Sequence, residues 1–165
     1  MNRPFTYDYS DRLVDVELLQ TVQRPTQSVQ PLQINITFGQ RVVTGMQKLV
    51  QRYIVLLLTE LEDVHFAPEQ GTSFWTDMLR GAANNAGQVE LAFAFANVDA
   101  ISQLKLEEAS VSTFGAIPDD ERVDRVQLLS FTVDQATGVL DLQIEITNKT
   151  GDAYVYVVPV TVARG

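Results

Sequence analysis

The sequence predicts an α+β domain, with helices packed on one face of a three-stranded antiparallel C-terminal meander and a strand-containing N-terminal arm. Three observations carry this. Residues 123–162 read as three strands broken twice by turn residues, and the middle one, Val139–Thr147, alternates apolar and polar positions with period two. Residues 42–109 change to the 3–4 spacing of helices. The longest apolar runs, Tyr53 to Leu58 and Leu91 to Ala96, are far short of the ~20 residues a membrane-spanning helix needs. With 165 residues, 45% hydrophobic and 20% charged, the chain is long enough for one sizeable core, and its composition excludes a largely disordered polymer.

The arm, residues 1–40, holds three of the six prolines, Pro4, Pro25 and Pro31. Its opening residues are polar and acidic, so no secretory signal is expected. Val14, Val16 and Leu18 alternate with Asp15 and Glu17, and Leu32, Ile34, Ile36 and Phe38 with Gln33, Asn35 and Thr37; both stretches read as half-buried strands, with Arg24–Ser28 as the loop between them. The main domain, residues 41–165, opens with Val42, Met46, Leu49, Tyr53 and Leu56 on one helical face and Gln47, Lys48, Gln51 and Arg52 on the other. Pro68 and Gly71 mark a loop over residues 65–73. Thr72 or Ser73 can cap a short helix through Phe74, Trp75, Met78 and Leu79 that Gly81 ends. Asn85 opens a helix through Val89, Phe93 and Ala96, and Asn97 or Asp99 is expected to recap a further one through Ile101, Leu104 and Ala109. Val123–Val133, Val139–Thr147 and Ala153–Val162 are the meander strands.

The absence of cysteine removes disulfides, thiolate metal sites and cysteine nucleophiles. His65 is the sole histidine, and it reads as a loop residue rather than a general base. A net charge of −9 with no basic run argues against a nucleic-acid backbone as partner. No phosphate-binding glycine loop is present, and neither cofactor, metal nor membrane is expected. Asn35-Ile36-Thr37 and Asn148-Lys149-Thr150 match a glycosylation sequon; the second reads as turn chemistry. An assembly role is the reading to test, and no catalytic residue is assigned.

The last strand is apolar on both faces: Tyr154, Tyr156, Val158, Val160 and Val162 on one, Val155, Val157 and Pro159 on the other. Pro159 lacks an N–H, which suits an edge, and a two-sided apolar edge is an aggregation hazard unless covered. Either the N-terminal arm covers it, or a partner strand adds along Tyr154, Val155, Tyr156, Val157 and Val158.

The order of parts carries a resemblance. Gln47-Lys48-Leu49-Val50-Gln51-Arg52, Leu56-Leu57-Leu58-Thr59, the loop Phe66-Ala67-Pro68-Glu69-Gln70-Gly71-Thr72, helices and a three-strand meander follow one another over residues 41–162. This resembles the baseplate wedge or sheath-initiator family of contractile-tailed phages, which has related subunits in other contractile injection systems. The resemblance implies a structural subunit of the virion tail baseplate, assembled in the host cytoplasm. Its implied partners are the tail sheath protein, which would dock by strand addition, other wedge proteins, and tail tube or hub proteins. A Glu-Pro-Arg tripeptide in that family contacts the helical wedge bundle. The corresponding place here reads Asp120-Glu121-Arg122-Val123, so Glu121 and Arg122 are the implied wedge contacts, without the intervening proline.

Two other readings stand beside it. Some members of the family carry a lysozyme label, and a glycosidase needs two carboxylates flanking the sugar; Glu60, Glu62, Asp63 and Glu69 near the loop read instead as solvated acids ending a helix, and Trp75 as core. A soluble regulatory adaptor on the same fold is the third reading.

Overall fold

The computed structural model describes residues 15–21, 29–34, 42–63, 67–110, 115–134 and 136–162. Several sequence expectations lie outside the described residues: the loop over Arg24–Ser28, the strand beyond Ile34, the first sequon at Asn35, Val14, His65, Phe66 and Phe114. The chain runs β1 (Asp15–Val16), β2 (Leu19–Thr21), β3 (Val29–Ile34), β4 (Val42–Val43), α1 (Gly45–Leu58), α2 (Phe74–Leu79), α3 (Ala86–Ser110), β5 (Val123–Asp134), β6 (Val139–Asn148) and β7 (Ala153–Thr161). The fold is α+β.

The meander forms as its alternation dictates. β5 pairs antiparallel with β6, and β6 with β7, in a register that sets Leu142 against Val158 and Ile144 against Tyr156. Leu140, Leu142, Ile144 and Ile146 are fully buried and, with Tyr156, Val158 and Val160, make the inner face. Leu49, Tyr53 and Leu57 of α1, Phe74 and Met78 of α2, and Val89, Phe93, Ala96, Ala100 and Leu104 of α3 complete one cluster with that face. Phe74 and Phe93 meet edge to face at 6.3 Å. Fully burying each large apolar side chain contributes about 2 kcal/mol.

The meander belongs to a five-stranded sheet of order β2-β3-β7-β6-β5. β3 lies parallel to β7, with Val29 beside Val155, Gln30 beside Tyr156 and Pro31 beside Val157, and β2 folds antiparallel back onto β3. β7 is therefore an interior strand: of the two readings of this rim, cover by the N-terminal arm is the one observed, and a free edge along Val155–Val157 is not. The cause is the hazard itself: a strand apolar on both faces gains most from a neighbour, and the arm of the same chain supplies one. The signal of Pro159 survives locally, because pairing with β3 stops at Val157, before the residue that lacks an N–H.

Three further expectations are corrected. Lys48 and Gln51 do not face solvent with Gln47 but are buried. The Gln51 amide uses its full capacity: its Oε1 accepts from Leu18 N at 2.6 Å and Leu19 N at 3.2 Å, and its Nε2 donates to Val16 O at 2.7 Å and Asp15 Oδ2 at 3.3 Å. This clamp falls between β1 and β2, so the period-two pattern breaks there; Val16 and Leu18 are exposed and Leu19 is buried instead. Finally, Ala86–Ser110 is a single helix of 25 residues with no recapping. The Asn97 amide points sideways, accepting from Tyr53 Oη at 2.8 Å and donating to Val126 O at 3.2 Å, so it is not available as a helix cap.

The loop after α1 folds as its sequence suggests. Gly71 has φ +107°, and a Cβ there would lie 2.5 Å from Thr59 O, so only glycine fits. Gln103 of α3 brackets Gly71, accepting from its N–H at 2.9 Å and donating to its carbonyl at 2.7 Å. Thr72 Oγ1 donates to Leu57 O and accepts from Phe74 N, joining the end of α1 to the start of α2.

Burial pushes the phenol pKa of Tyr53 and Tyr156 up, that of Tyr156 to about 12, with the neighbouring Tyr154 a lesser cause. A phenol whose folded pKa exceeds its unfolded value of ~10 stabilises the fold fully below that pH and loses the contribution as pH rises through the folded value. Stability should therefore fall between about pH 10 and pH 12. Absorbance at 295 nm should show two tyrosines silent until the chain unfolds; ionisation of all of them near pH 10 in folded protein contradicts this packing.

Candidate interaction surfaces

The two sequence-predicted contact sets end up in different places. Glu121 closes a short 3-10 turn, Asp119–Glu121, just before β5, and its side chain is buried at 1% exposure. Its Oε1 accepts from Gly45 N at 3.0 Å, and its Oε2 pairs with Lys48 Nζ at 2.8 Å. Gly45 has φ +62°, and its missing Cβ leaves room for Asp120, whose Oδ2 would stand 3.0 Å from it. The first turn of α1 is thus fastened to the start of β5 by a buried ion pair and a charge-assisted backbone bond. Glu121 has no surface to offer a partner, which corrects its expected role as an outward contact. The physical reason is that Lys48, four positions before Arg52 on α1, points inward and needs a carboxylate.

Arg122 differs from its neighbour. Its side chain is 40% exposed, and it bridges Glu108 Oε2 at 3.2 Å and Asp119 Oδ1 at 3.0 Å. The hydrogen bond to Glu108, then that to Asp119, raises the guanidinium pKa. Arg122 can meet a partner only alongside these two acids. The wedge-contact expectation therefore narrows from a pair to one cation in an acidic setting.

The strand-docking set is divided by the pleat. Tyr156 and Val158 point into the core, Val155 and Val157 are half-buried on the outer face, and Tyr154 is exposed near the start of the strand. The backbone of Val155, Tyr156 and Val157 is already matched with β3.

The open rim lies on the other side of the sheet. β5 is the terminal strand among the described residues, twelve residues long and paired only with β6. Register shifts after Val123 and after Leu128 mark two bulges, and bulges bend an edge and limit which segments can pair with it. Leu129 and Val133 are exposed large apolar residues on this strand, at 47% and 38%. Asn97 holds Val126 O, so α3 covers the first part of the strand. Beyond it a groove runs between residues 126–131 of β5 and Glu90, Phe93, Ala94 and Asn97 of α3. Sequence reasoning missed this rim because β5 reads as a first meander strand, and nothing local distinguishes a first strand with a covering helix from one without. The exposed pair Leu129 and Val133 was the available signal.

Of the acids near the loop, Glu62, Asp63 and Glu69 are exposed, and Glu60 is engaged within the chain. Glu60 Oε2 accepts from Thr76 N at 3.2 Å at the start of α2, and Trp75 packs half-buried against the core. Among the described residues no group of three or more His, Cys, Asp or Glu side chains could hold a metal ion, and no helix is long and apolar enough to cross a membrane. No family model, curated protein or solved structure matches the chain.

Removing one member of a buried ion pair leaves the other charge uncompensated, at a cost of about 3 kcal/mol or more. Glu121→Ala should therefore lower the unfolding free energy by about 3 kcal/mol in a urea titration. A loss under about 0.5 kcal/mol is what an exposed surface acid would give, and would return Glu121 to the surface.

Proposed function

We propose that this chain is a structural assembly subunit that accepts a β-strand from a partner. The single observation that carries the reading is the twelve-residue strand β5, terminal among the described residues, lying beside a groove of mixed lining in which Phe93, Ala94 and Phe131 stand with Glu90, Asn97 and Ser130. An extended segment laid along residues 127–133 would complete the outward backbone row of β5. Four to six net hydrogen bonds at about 1 kcal/mol each would hold it, and the groove over Phe93 and Ala94 would select apolar side chains at every second position. The two bulges would restrict pairing to a segment that follows their bend.

The resemblance over residues 41–162 gives this chemistry a setting. The chain is then a baseplate subunit of a contractile tail, with the sheath protein as the donor of the strand. The wedge proteins would contact the surface around Arg122, and the subunit would be assembled in the host cytoplasm into the virion tail. It templates and does no bond-breaking. The engagement of Glu60 with α2 and of Trp75 with the core supports this over the glycosidase reading. Strand acceptance moves from Tyr154–Val158 to β5 because the arm occupies the β7 rim.

Replacing Leu129 and Val133 by lysine puts two charges on the rim at exposed positions and should leave the fold intact. Tails assembled with the Leu129→Lys/Val133→Lys chain should carry complete baseplates without sheath, as counted in electron micrographs. Sheath of normal length on such tails would refute strand acceptance at β5.

A further inference from the structure

The outward rim of β5 carries a pattern that reads the same in both directions. Val126, Leu128, Phe131 and Val133 stand opposite the buried Ile146, Ile144, Leu142 and Leu140 of β6, so they lie on the inner side of the sheet. Arg125, Gln127, Ser130, Thr132 and Asp134 stand opposite the residues of β6 that alternate with these, and lie on the outer side. Leu129 is the extra residue of the second bulge, and it shifts the phase of the alternation after it. With Leu129 and Ser130 at the centre, the sides taken by residues 125–128 therefore mirror those taken by residues 131–134.

That symmetry selects an occupant. A segment of unbroken alternation that matches Val126 and Leu128 is out of phase by Phe131 and Val133. A second β5, laid antiparallel about a two-fold axis at Leu129 and Ser130, brings the same extra residue to the same place and stays in phase throughout. The opposed residues then agree in chemistry as well as in side. Val126 meets Val133, Leu128 meets Phe131 and Gln127 meets Thr132, each twice by symmetry. At both ends Arg125 of one copy meets Asp134 of the other, and opposite charges at opposed positions favour the pair. Within its own chain Arg125 leans on Glu145 at 3.6 Å, and Asp134 accepts from Ala136 N at 2.8 Å in the turn after β5, contacts that both can keep. Phe131 of the second copy would fill the groove beside Leu128 and Phe93, while Glu90 is exposed and can stay in water. The net charge of −9 on each copy opposes the pairing, but screening confines that opposition to charges within about 8 Å at physiological salt.

We propose that the free chain forms a two-fold dimer by pairing β5 with β5 of a second copy, which joins two five-stranded sheets into one across the rim. Asn97 already holds Val126 O, so the backbone pairing runs over residues 127–132 and the contacts of Arg125 with Asp134 close its ends. Two six-residue segments make an interface well below the ~800 Å² per partner of a stable complex, so the dimer is weak and concentration-dependent. The inference rests on the strand-acceptor reading of β5 and names what fills that rim before a donor arrives. A donor strand must displace the second copy.

Disulfide trapping tests the register directly, because the chain has no cysteine of its own. Gln127 and Thr132 are exposed on the outer side, so a cysteine at either leaves the fold intact. In the dimer the two positions stand opposite each other at the ~4.5–5.5 Å Cα separation of antiparallel neighbours, which a disulfide spans. The two copies of position 127 lie about 17 Å apart along the rim, as do those of position 132, too far for a disulfide. A mixture of the Gln127→Cys chain and the Thr132→Cys chain should therefore cross-link at least tenfold faster than either chain alone. Sedimentation equilibrium of the unaltered chain should show the mass rising from 18.4 kDa towards twice that value between about 10 µM and 1 mM. The Leu129→Lys/Val133→Lys chain should stay monomeric over the same range. A mixture that cross-links no faster than its components, an unaltered chain that stays monomeric at the highest concentration, or a dimer that persists in the lysine variant each overturns the proposal. The cross-link involves no donor, so its failure leaves strand acceptance by β5 standing, and normal sheath on lysine-variant tails leaves the dimer standing.

Discussion

A β-strand must pair its backbone on both sides or leave one side to solvent or a partner, and here that requirement falls hardest on β7. The strand is apolar on both faces, so its uncovered rim would be adhesive. β3 covers it through Val29, Gln30 and Pro31. Once β7 is interior, the sheet must end elsewhere. Among the described residues it ends at β2, which is three residues long, and at β5, which is twelve. A short edge offers little to pair with, and a long one offers a template. The parallel β3–β7 pair thus decides both where the arm goes and which rim faces outward.

The helical layer is held to this sheet by polar groups that would be costly if unpaired. Glu121 joins Lys48 and the first N–H of α1 to the start of β5. Gln51 joins the middle of α1 to the arm through four hydrogen bonds. Asn97 joins α3 to Tyr53 and to β5. Each is a side chain in an otherwise apolar setting that takes the place of a backbone partner. Such groups fix one arrangement more tightly than apolar contact alone, since any slip leaves a buried donor or acceptor unmatched.

Much of this was legible in the sequence, and the failures share a cause. The meander could be read because alternation and turn residues are local signals, and α2, the end of α1 and the strained Gly71 for the same reason. Lys48, Gln51 and Glu121 could not be read, since a polar residue on a helix or at a strand start is ordinarily solvated; only partners 32 to 76 residues away bury them. Asn97 resembles a helix cap in sequence and is a tertiary hydrogen-bonding group in the fold. Of the predicted contact residues, Arg122 and Tyr154 remain at the surface, while Glu121, Tyr156 and Val158 are drawn inside. The β5 rim was visible only as unremarkable apolar residues until burial showed that the chain leaves Leu129 and Val133 uncovered.

Residue-resolved amide hydrogen exchange tests the central claim most directly, on the free chain at a dilution where it is monomeric and again with the proposed strand donor, a sheath-protein segment, added. The account predicts that Val155–Val157 of β7 exchange as slowly as β6 in the free chain, whereas the outward amides of residues 127–133 exchange quickly and slow only in the complex. Fast exchange at Val155–Val157 in the free chain, with protection arriving there and not on β5 when the donor binds, would contradict it.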